Sequence, residues 1–557
     1  MSVKEDIKKL ALKNAVSHNG NANPGAIIGG ILGSHPELRS KVKEVMKDIQ
    51  EIVKEVNKLG IEAQTEELKK VDPDALKKEK TKKDLPDLKN AVMGKVVTRI
   101  APEPSKYNHI GHALSFLINY LYAKKYKGKC ILRFEDTNPD KASLEYVEAM
   151  EQDVLEFLDI KPSKTVFVSD DMKKFYELAE QTINEKKSYI CTCTREEMQE
   201  NRHNATGCSC RFQTPEQNMK LWKEMLDKKF KPGEAVLRLL IDMAADNHVM
   251  RDPVIMRICT TKHYRQGNKY SVWPMYDFEN AVEEELCGVT HIMRSSEFGS
   301  MRVELQGYIK DLFGFKKQEV KQYGRFNITG ATTQGRVIRE MIEKKQVMGW
   351  DDPRLVTLRA LKRRGFVKET FYELVKEVGL SASQTNIDWK ILSSINRKIL
   401  DSKADRFFFI KDPIKVTVKD APDQKLNLSL HPDRKGGRKI DVNDKFYLEK
   451  RDTDELKSGK LYRLMDCLNF TKKGKNLVLD SLEHEKFKDK GEKIMHWLPK
   501  DTVNVEVLMD DGSWIKGIGE KNLEKVKVGD VVQFEREFFA RLDKKEKNKL
   551  LFWFTHK

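Results

Sequence analysis

Apolar residues recur at intervals of three and four between Leu38 and Leu59: Leu38, Val42, Val45, Met46, Ile49, Ile52, Val53, Val56 and Leu59. That period places them on one face of a helix, and the stripe reads as a core face. Ser34 and Glu37 stand at capping-box spacing, and Pro36 suits a first turn, so the helix is predicted to start there. A different order begins at residue 96. Val96 to Ile100 is a short β-branched run; Ile110, Leu114, Leu117, Ile118 and Leu121 return to helical spacing; Ile131 to Phe134 is apolar again. Strand, helix, strand is the order of a doubly wound parallel sheet. Farther on, Asp352 as N-cap, Pro353 as first residue and Gly365 as stop predict a helix carrying Leu355, Leu358 and Leu361. After about residue 405 the period falls to two, as in Val503, Val505 and Val507, and Asp511-Gly512 is a hairpin-type turn. The chain closes on Leu550-Leu551-Phe552-Trp553-Phe554. The last third is therefore read as mostly β, in barrels.

Between these patterns, Lys69 through Asp72-Pro73-Asp74 to Lys83 is lysine-rich and poor in apolar residues, which predicts a solvated linker and a domain boundary near residue 88. With 557 residues there is room for several domains at a prior of about 150 each. The net charge of +17 favours a polyanionic partner, because Lys and Arg displace the counterions condensed on phosphate backbones. No apolar run approaches the ~20 residues of a membrane span, and Met1-Ser2-Val3-Lys4-Glu5-Asp6 does not look like a signal peptide. Eight cysteines in a chain this long do not suggest a secreted disulfide framework. A cytoplasmic protein with no membrane partner is expected.

The residues that carry chemistry sit at the ends of these elements. Thr98-Arg99-Ile100-Ala101-Pro102-Glu103-Pro104-Ser105 and His109-Ile110-Gly111-His112 fill the first strand-to-helix connection. Parallel sheets bind anions there, at the amides of the helix N-terminus. His109 and His112 share one face of the first turn, and Gly111 leaves room for a nucleotide near the backbone. The second strand ends in Arg133-Phe134-Glu135-Asp136-Thr137-Asn138-Pro139. A carboxylate at that end faces the ligand crevice, so Glu135 suits a substrate ammonium, while Asp136 to Pro139 equally suit a turn. Cys191-Thr192-Cys193 and Cys208-Ser209-Cys210 are two C-x-C pairs in one short segment, and four such thiolates fit a closed tetrahedral Zn2+ site. Cys130, Cys259, Cys287 and Cys467 stand alone and are read as packing residues.

The His109-Ile110-Gly111-His112 segment with its Thr98–Ser105 prefix resembles the HIGH signature of class I aminoacyl-tRNA synthetases. Val272-Trp273-Pro274-Met275-Tyr276-Asp277-Phe278 and Gly288-Val289-Thr290-His291-Ile292-Met293-Arg294-Ser295-Ser296-Glu297 narrow the resemblance to the glutamyl and glutaminyl group. Residues 13–60, including Asn21-Ala22-Asn23-Pro24, resemble the N-terminal helical extension of archaeal glutamyl enzymes. The likeness is strong over about 92–395 and weaker beyond, and a β-rich end fits the archaeal/eukaryotic branch.

The resemblance implies a multidomain α/β protein: a helical extension and linker over 1–87, a Rossmann-type catalytic domain over 88–328, a helical connector over 329–405, and anticodon-binding β-barrels over 406–557. An acceptor-stem-binding insertion at about 176–271 would hold the zinc site, as in some glutamyl enzymes. It also implies ATP with Mg2+, L-glutamate and tRNA-Glu as substrates, with tRNA-Gln open, and a monomer. His109 and His112 would stabilise the α-phosphate in its transition state. Pro102, Gly111, Ser296 and Glu297 would join them in holding ATP. Glu135 would take the α-amino group, with Arg99, Tyr276 and Arg294 around the substrate side chain. Arg294 falls where glutaminyl enzymes carry a small residue; a γ-carboxylate calls for a guanidinium, which a neutral amide leaves unpaired. Glutaminyl-tRNA synthetase and a catalytically silent tRNA-binding relative are the alternatives. One departure stands out. Where class I enzymes carry the lysine of their KMSKS signature, this chain reads Thr332-Thr333-Gln334-Gly335-Arg336, with Gly335 near the slot and Arg336 or Arg339 as candidate replacements.

Overall fold

A computed structural model describes residues 3–17, 20–72, 85–381 and 383–557. The chain forms two compact units, 1–84 and 85–557. The first is helical: α1 (Val3–Ser17), α2 (Pro24–Ser34), α3 (Val42–Lys58) and α4 (Ile61–Val71). The stripe lies on α3, which buries Val45, Ile49, Val53 and Val56 against Ile7, Leu12, Ile27 and Ile31. Leu38 precedes α3 in a 3-10 helix (Pro36–Lys41) and packs partly buried against the same core, while Val42 and Leu59 are exposed.

Ser34 does not start this helix. It closes α2, and its hydroxyl donates to the Gly30 carbonyl (2.7 Å). The stronger start lies upstream, where the Asn23 side chain accepts from the Gly25 N–H and Pro24 opens α2. Of the expected linker, Lys69 and Lys70 belong to the last turn of α4, and 73–84 lie outside the described residues.

The second unit opens with β1 (Val97–Ile100), α5 (Ile110–Lys125), β2 (Lys129–Phe134), α6 (Leu144–Glu151) and β3 (Lys164–Phe167). The three strands are parallel in the order β1-β2-β3, with Val97 opposite Lys129 and Ile131 opposite Lys164. Next come α7 (Met172–Asn184), β4 (Ser188–Cys191), α8 (Arg195–His203), α9 (Pro215–Leu226), β5 (Val236–Leu239), β6 (Val254–Ile258) and β7 (Val272–Pro274). β4 to β7 form one antiparallel sheet. The chain returns through α10 (Tyr276–Leu286), β8 (His291–Ser295), α11 (Gly299–Phe313) and β9 (Glu319–Tyr323). β8 and β9 are parallel, and the Thr290 N–H donates to the Val97 carbonyl (2.9 Å), which sets β8 beside β1.

β10 (Phe326–Ile328), α12 (Gly335–Glu343), α13 (Leu358–Arg364), α14 (Lys368–Val378), β11 (Thr385–Ile387) and α15 (Trp389–Leu400) follow. The helix predicted from Asp352 starts five residues later, at α13, with Thr357 as N-cap. The Asp352 carboxylate is turned inward instead, where it accepts from the Met348 and Arg354 N–H groups and pairs with the Arg354 guanidinium (2.8 Å). Gly365 does end the helix, at φ 94°, a left-handed conformation that favours glycine.

From Asp405 on, the chain is almost all β, in sheets curled into barrel-like shapes. Seven strands between 405 and 556 make one sheet, and six between 413 and 495 make another. α13 is bound to the first of these: Arg364 donates to the Phe554 and Thr555 carbonyls (3.3 and 3.0 Å), and Arg363 is bidentate to Asp543. No helix among the described residues is long and apolar enough to cross a membrane.

Candidate active site

A cavity of about 590 Å³ opens at the C-terminal ends of β1, β2 and β8, at the N-terminus of α5. His109 is the N-cap of α5. Its Nδ1 accepts from the Gly111 N–H, and the His112 Nδ1 accepts from the His109 N–H, both at 3.1 Å. The rings stack with centroids 3.9 Å apart. With each Nδ1 occupied as an acceptor, the neutral imidazoles carry their proton on Nε2, the donor each can offer a ligand. Burial keeps both neutral: it holds His109 well below the usual histidine range, helped by His112, Lys106 and Arg325, and pushes His112 to about 3. The room at Gly111 is tight. A Cβ there would meet the His109 ring at 3.0 Å and the Phe326 carbonyl at 3.3 Å, so any side chain would displace the pair.

At the other end, α10 and the strand ends gather charge. Arg99 Nε donates to Glu284 (2.8 Å), and Arg133 Nη2 bridges Glu284 (3.2 Å) and Glu135 (2.9 Å). Burial disfavours the charge on Glu284, but Arg133 and Arg99 bring its pKa down to about 2. Glu279 and Glu283 go the other way: burial raises Glu279 well above its usual value, with Glu135 adding repulsion, and raises Glu283 to about 8. Thr137 donates to Glu279 Oε2 (2.6 Å), while Glu279 Oε1 has no hydrogen-bond partner among the described residues. Buried Arg294, on β8, donates to the Tyr276 hydroxyl (3.3 Å) and to Gln306 (2.9 Å). Two buried guanidiniums, Arg99 and Arg294, line this end of the cavity, a donor pair that suits a carboxylate ligand.

The expected residues Arg99, Pro102, His109, Gly111, His112, Glu135, Tyr276, Arg294 and Glu297 all line this cavity. Ser296 does not; the chain turns after Ser295, which takes its place in the lining, and Ser296 is exposed. Arg336 does not either. It lies exposed in the first turn of α12, whose packed face carries Gly335 and Ile338. Arg339 reaches nearer, with Nη1 3.4 Å from the Ser105 carbonyl. Sequence reasoning missed Lys106, Arg325, Asn108 and Glu279, which also line the cavity. Glu279 was legible in principle: it stands three residues after Tyr276, on the same face of a helix.

Away from the cavity, Cys191, Cys193, Cys208 and Cys210 lie with all four Sγ atoms within 4.8 Å of one another. Cys191 and Cys208 are 3.9 Å apart, close to the roughly 3.8 Å edge of a tetrahedron of sulfurs about 2.3 Å from a central ion. The donor set fits zinc, and buried Arg238, with Nη1 3.7 Å from Cys191, offsets part of the thiolate charge.

A parallel sheet with stacked imidazoles at its first helix, an antiparallel sheet between its strands in sequence, and trailing β-rich sheets are the arrangement of a class I aminoacyl-tRNA synthetase. The chain belongs to the class I (E and Q) tRNA synthetases: it matches their catalytic domain over residues 95–402 and their anti-codon binding domains over 404–493 and 494–543. It is 39% identical over 575 aligned residues to a glutamate–tRNA ligase of Pyrococcus furiosus, covering 99% of this chain and 100% of that one. A glutamate–tRNA ligase of Methanocaldococcus jannaschii is 37% identical over 564, covering 100% of each. A solved glutamate tRNA ligase from Elizabethkingia meningosepticum overlaps 56% of this chain and 70% of its own at 16% identity and a TM-score of 0.39, too slight a likeness to carry an argument.

Proposed function

We propose that this chain is a glutamate–tRNA ligase, activating L-glutamate with ATP–Mg2+ and transferring it to the terminal adenosine of tRNA-Glu. The reading rests on Arg294, a buried guanidinium that lines the cavity together with buried Arg99. A γ-carboxylate matches two such donors in charge; the amide of glutamine does not. Glu135 and Glu279, at the pocket's other side, suit the substrate ammonium. His109 and His112 each offer an Nε2–H toward the cavity. Uncharged donors there stabilise the α-phosphate most as its charge rises in the transition state. Mg2+, arriving with ATP, neutralises phosphate charge. The glutamate α-carboxylate attacks the α-phosphorus and pyrophosphate leaves; a ribose hydroxyl of the tRNA terminus then takes the glutamyl group from the adenylate. The four-cysteine cluster is assigned to structural zinc in the insertion.

Aminoacylation with each amino acid on each tRNA transcript tests this. Glutamate should be charged onto tRNA-Glu. Charging of glutamine, or of neither amino acid, overturns the reading, and the tRNA-Gln arm decides whether the second tRNA is also a substrate.

A further inference from the structure

The second signature of this family normally brings a lysine to the ATP phosphates, and the segment Thr332-Thr333-Gln334-Gly335-Arg336 contains none. We propose that Lys106, from the connection before α5, supplies that positive charge instead. This assignment rests on the glutamate–tRNA ligase reading and deepens it.

Gly335 stands near the slot of the missing lysine, and Lys106 occupies the space beside it. A Cβ built on Gly335 would lie 3.0 Å from Lys106 Cδ and 3.3 Å from Lys106 Cβ. The space a side chain at Gly335 would take is filled by the stem of Lys106. Lys106 lines the same cavity as His109, Gly111 and His112. No hydrogen bond or ion pair holds it among the described residues, whereas the other nearby cations are engaged: Arg325 pairs with Glu297 at 2.8 Å, and Arg339 leans on the Ser105 carbonyl. Burial lowers the Lys106 pKa; Glu103 and Glu297 oppose this, and Arg325 and Arg339 reinforce it. A half-buried ammonium without a counter-ion is suited to a polyanion that brings its own charge.

During activation, an oxygen of the glutamate α-carboxylate bonds to the α-phosphorus as the bond to the bridging oxygen breaks, and its electron pair leaves with pyrophosphate. Lys106 transfers no proton. Its ammonium pairs with the pyrophosphate oxygens as their charge rises, an interaction stronger in the transition state than in bound ATP.

Single-turnover quench-flow of glutamyl-adenylate formation, with ATP–Mg2+, glutamate and tRNA-Glu, tests the assignment. Lys106→Ala should slow formation at least about tenfold while the Kd for ATP stays within about threefold, and Lys106→Arg should recover most of the rate. A swap carries the geometry: Lys106→Gly with Gly335→Lys returns a lysine to the loop in the space vacated, and should be faster than Lys106→Gly alone. A Lys106→Ala rate within about threefold of the parent overturns the assignment. So does Lys106→Arg as slow as Lys106→Ala, which would mean packing rather than charge, or a swap no faster than Lys106→Gly. A parent enzyme that forms no adenylate overturns the ligase reading, and this assignment with it.

Discussion

Arg294 and Glu279 both line the cavity. Arg294→Cys removes the guanidinium that a desolvated γ-carboxylate needs, so kcat/KM for glutamate should fall by on the order of 2–4 kcal/mol in transition-state terms. Steady-state aminoacylation checks this; a change within about threefold would remove Arg294 from the pocket. Glu279 gives a different readout. Burial and the nearby Glu135 raise its pKa, and of the remaining groups around it Thr137 and Arg133 lower that value while Glu283 raises it further. Burial thus favours the neutral carboxyl before substrate arrives. An ammonium at Oε1 opposes this, so glutamate binding should release protons, up to ~1 per site, and Glu279→Gln should abolish the release. Calorimetry in buffers of differing ionisation enthalpy measures it. The motif residues were legible because each sits at a fixed place in a strand–loop–helix. Lys106 was not, because its meaning depends on Gly335, far along the chain; helical spacing could place Glu279 beside Tyr276 but not beside Glu135.

At the scale of elements, the first signature is held by what surrounds it. The Ile110 N–H donates to the Val356 carbonyl (3.1 Å), and the Leu358 N–H to the Asn108 carbonyl (2.9 Å), so α5 begins against the segment that leads into α13. Asn108 also donates to buried Asp153 (3.1 Å), in the turn after α6. Burial pushes the Asp153 pKa up to about 7, against the opposing pull of Asn108, Arg359 and Lys362. The native state thus holds this proton more tightly than the unfolded chain, whose Asp titrates near 3.9. The support this gives is present below pH ~4 and is lost as pH rises through ~7, by up to ~4 kcal/mol. Asp153→Asn keeps the acceptor without the charge. It should match the parent near pH 4 and be the more stable at pH 8 in urea unfolding; equal stability at pH 8 would contradict this. Periodicity located α3, which keeps one face on a core, and α5, which is buried on most sides; β1 and β2 were found as short apolar runs, buried along nearly their whole length. It misplaced the start of α13, because Asp352-Pro353 satisfies the same cap rules as Thr357; both are buried, and what separates them is that the Asp352 carboxylate is taken up by Met348 and Arg354 while the Thr357 hydroxyl accepts from the Ala360 N–H.

For the whole molecule, the insertion poses the metal question. If the four cysteines hold zinc, purified protein should carry about one equivalent, and Cys208→Ser should lose it, with faster proteolysis between β4 and β5. Metal analysis well below half an equivalent in an active preparation would rule this out. The C-terminal β region was recognisable as β from its two-residue period. Its pairing was not, since Asp405 meets Val532 and Phe409 meets Gly519 only through contacts far apart in sequence. Arg364 gives the region a further meaning. Its guanidinium is buried; besides the Pro353 carbonyl (3.1 Å) it reaches Asp510 (3.4 Å) and two carbonyls of the last strand, Lys549–His556, while the Thr555 hydroxyl donates back to the Arg364 carbonyl. A catalytic fragment cut away from the barrels would keep only the Pro353 contact of these and lose the partners for the rest of the guanidinium. The anticodon-binding domains are therefore not cargo that could be shed or exchanged without altering α13, and a chimera joined at residue 404 would have to bring its own carbonyls to Arg364.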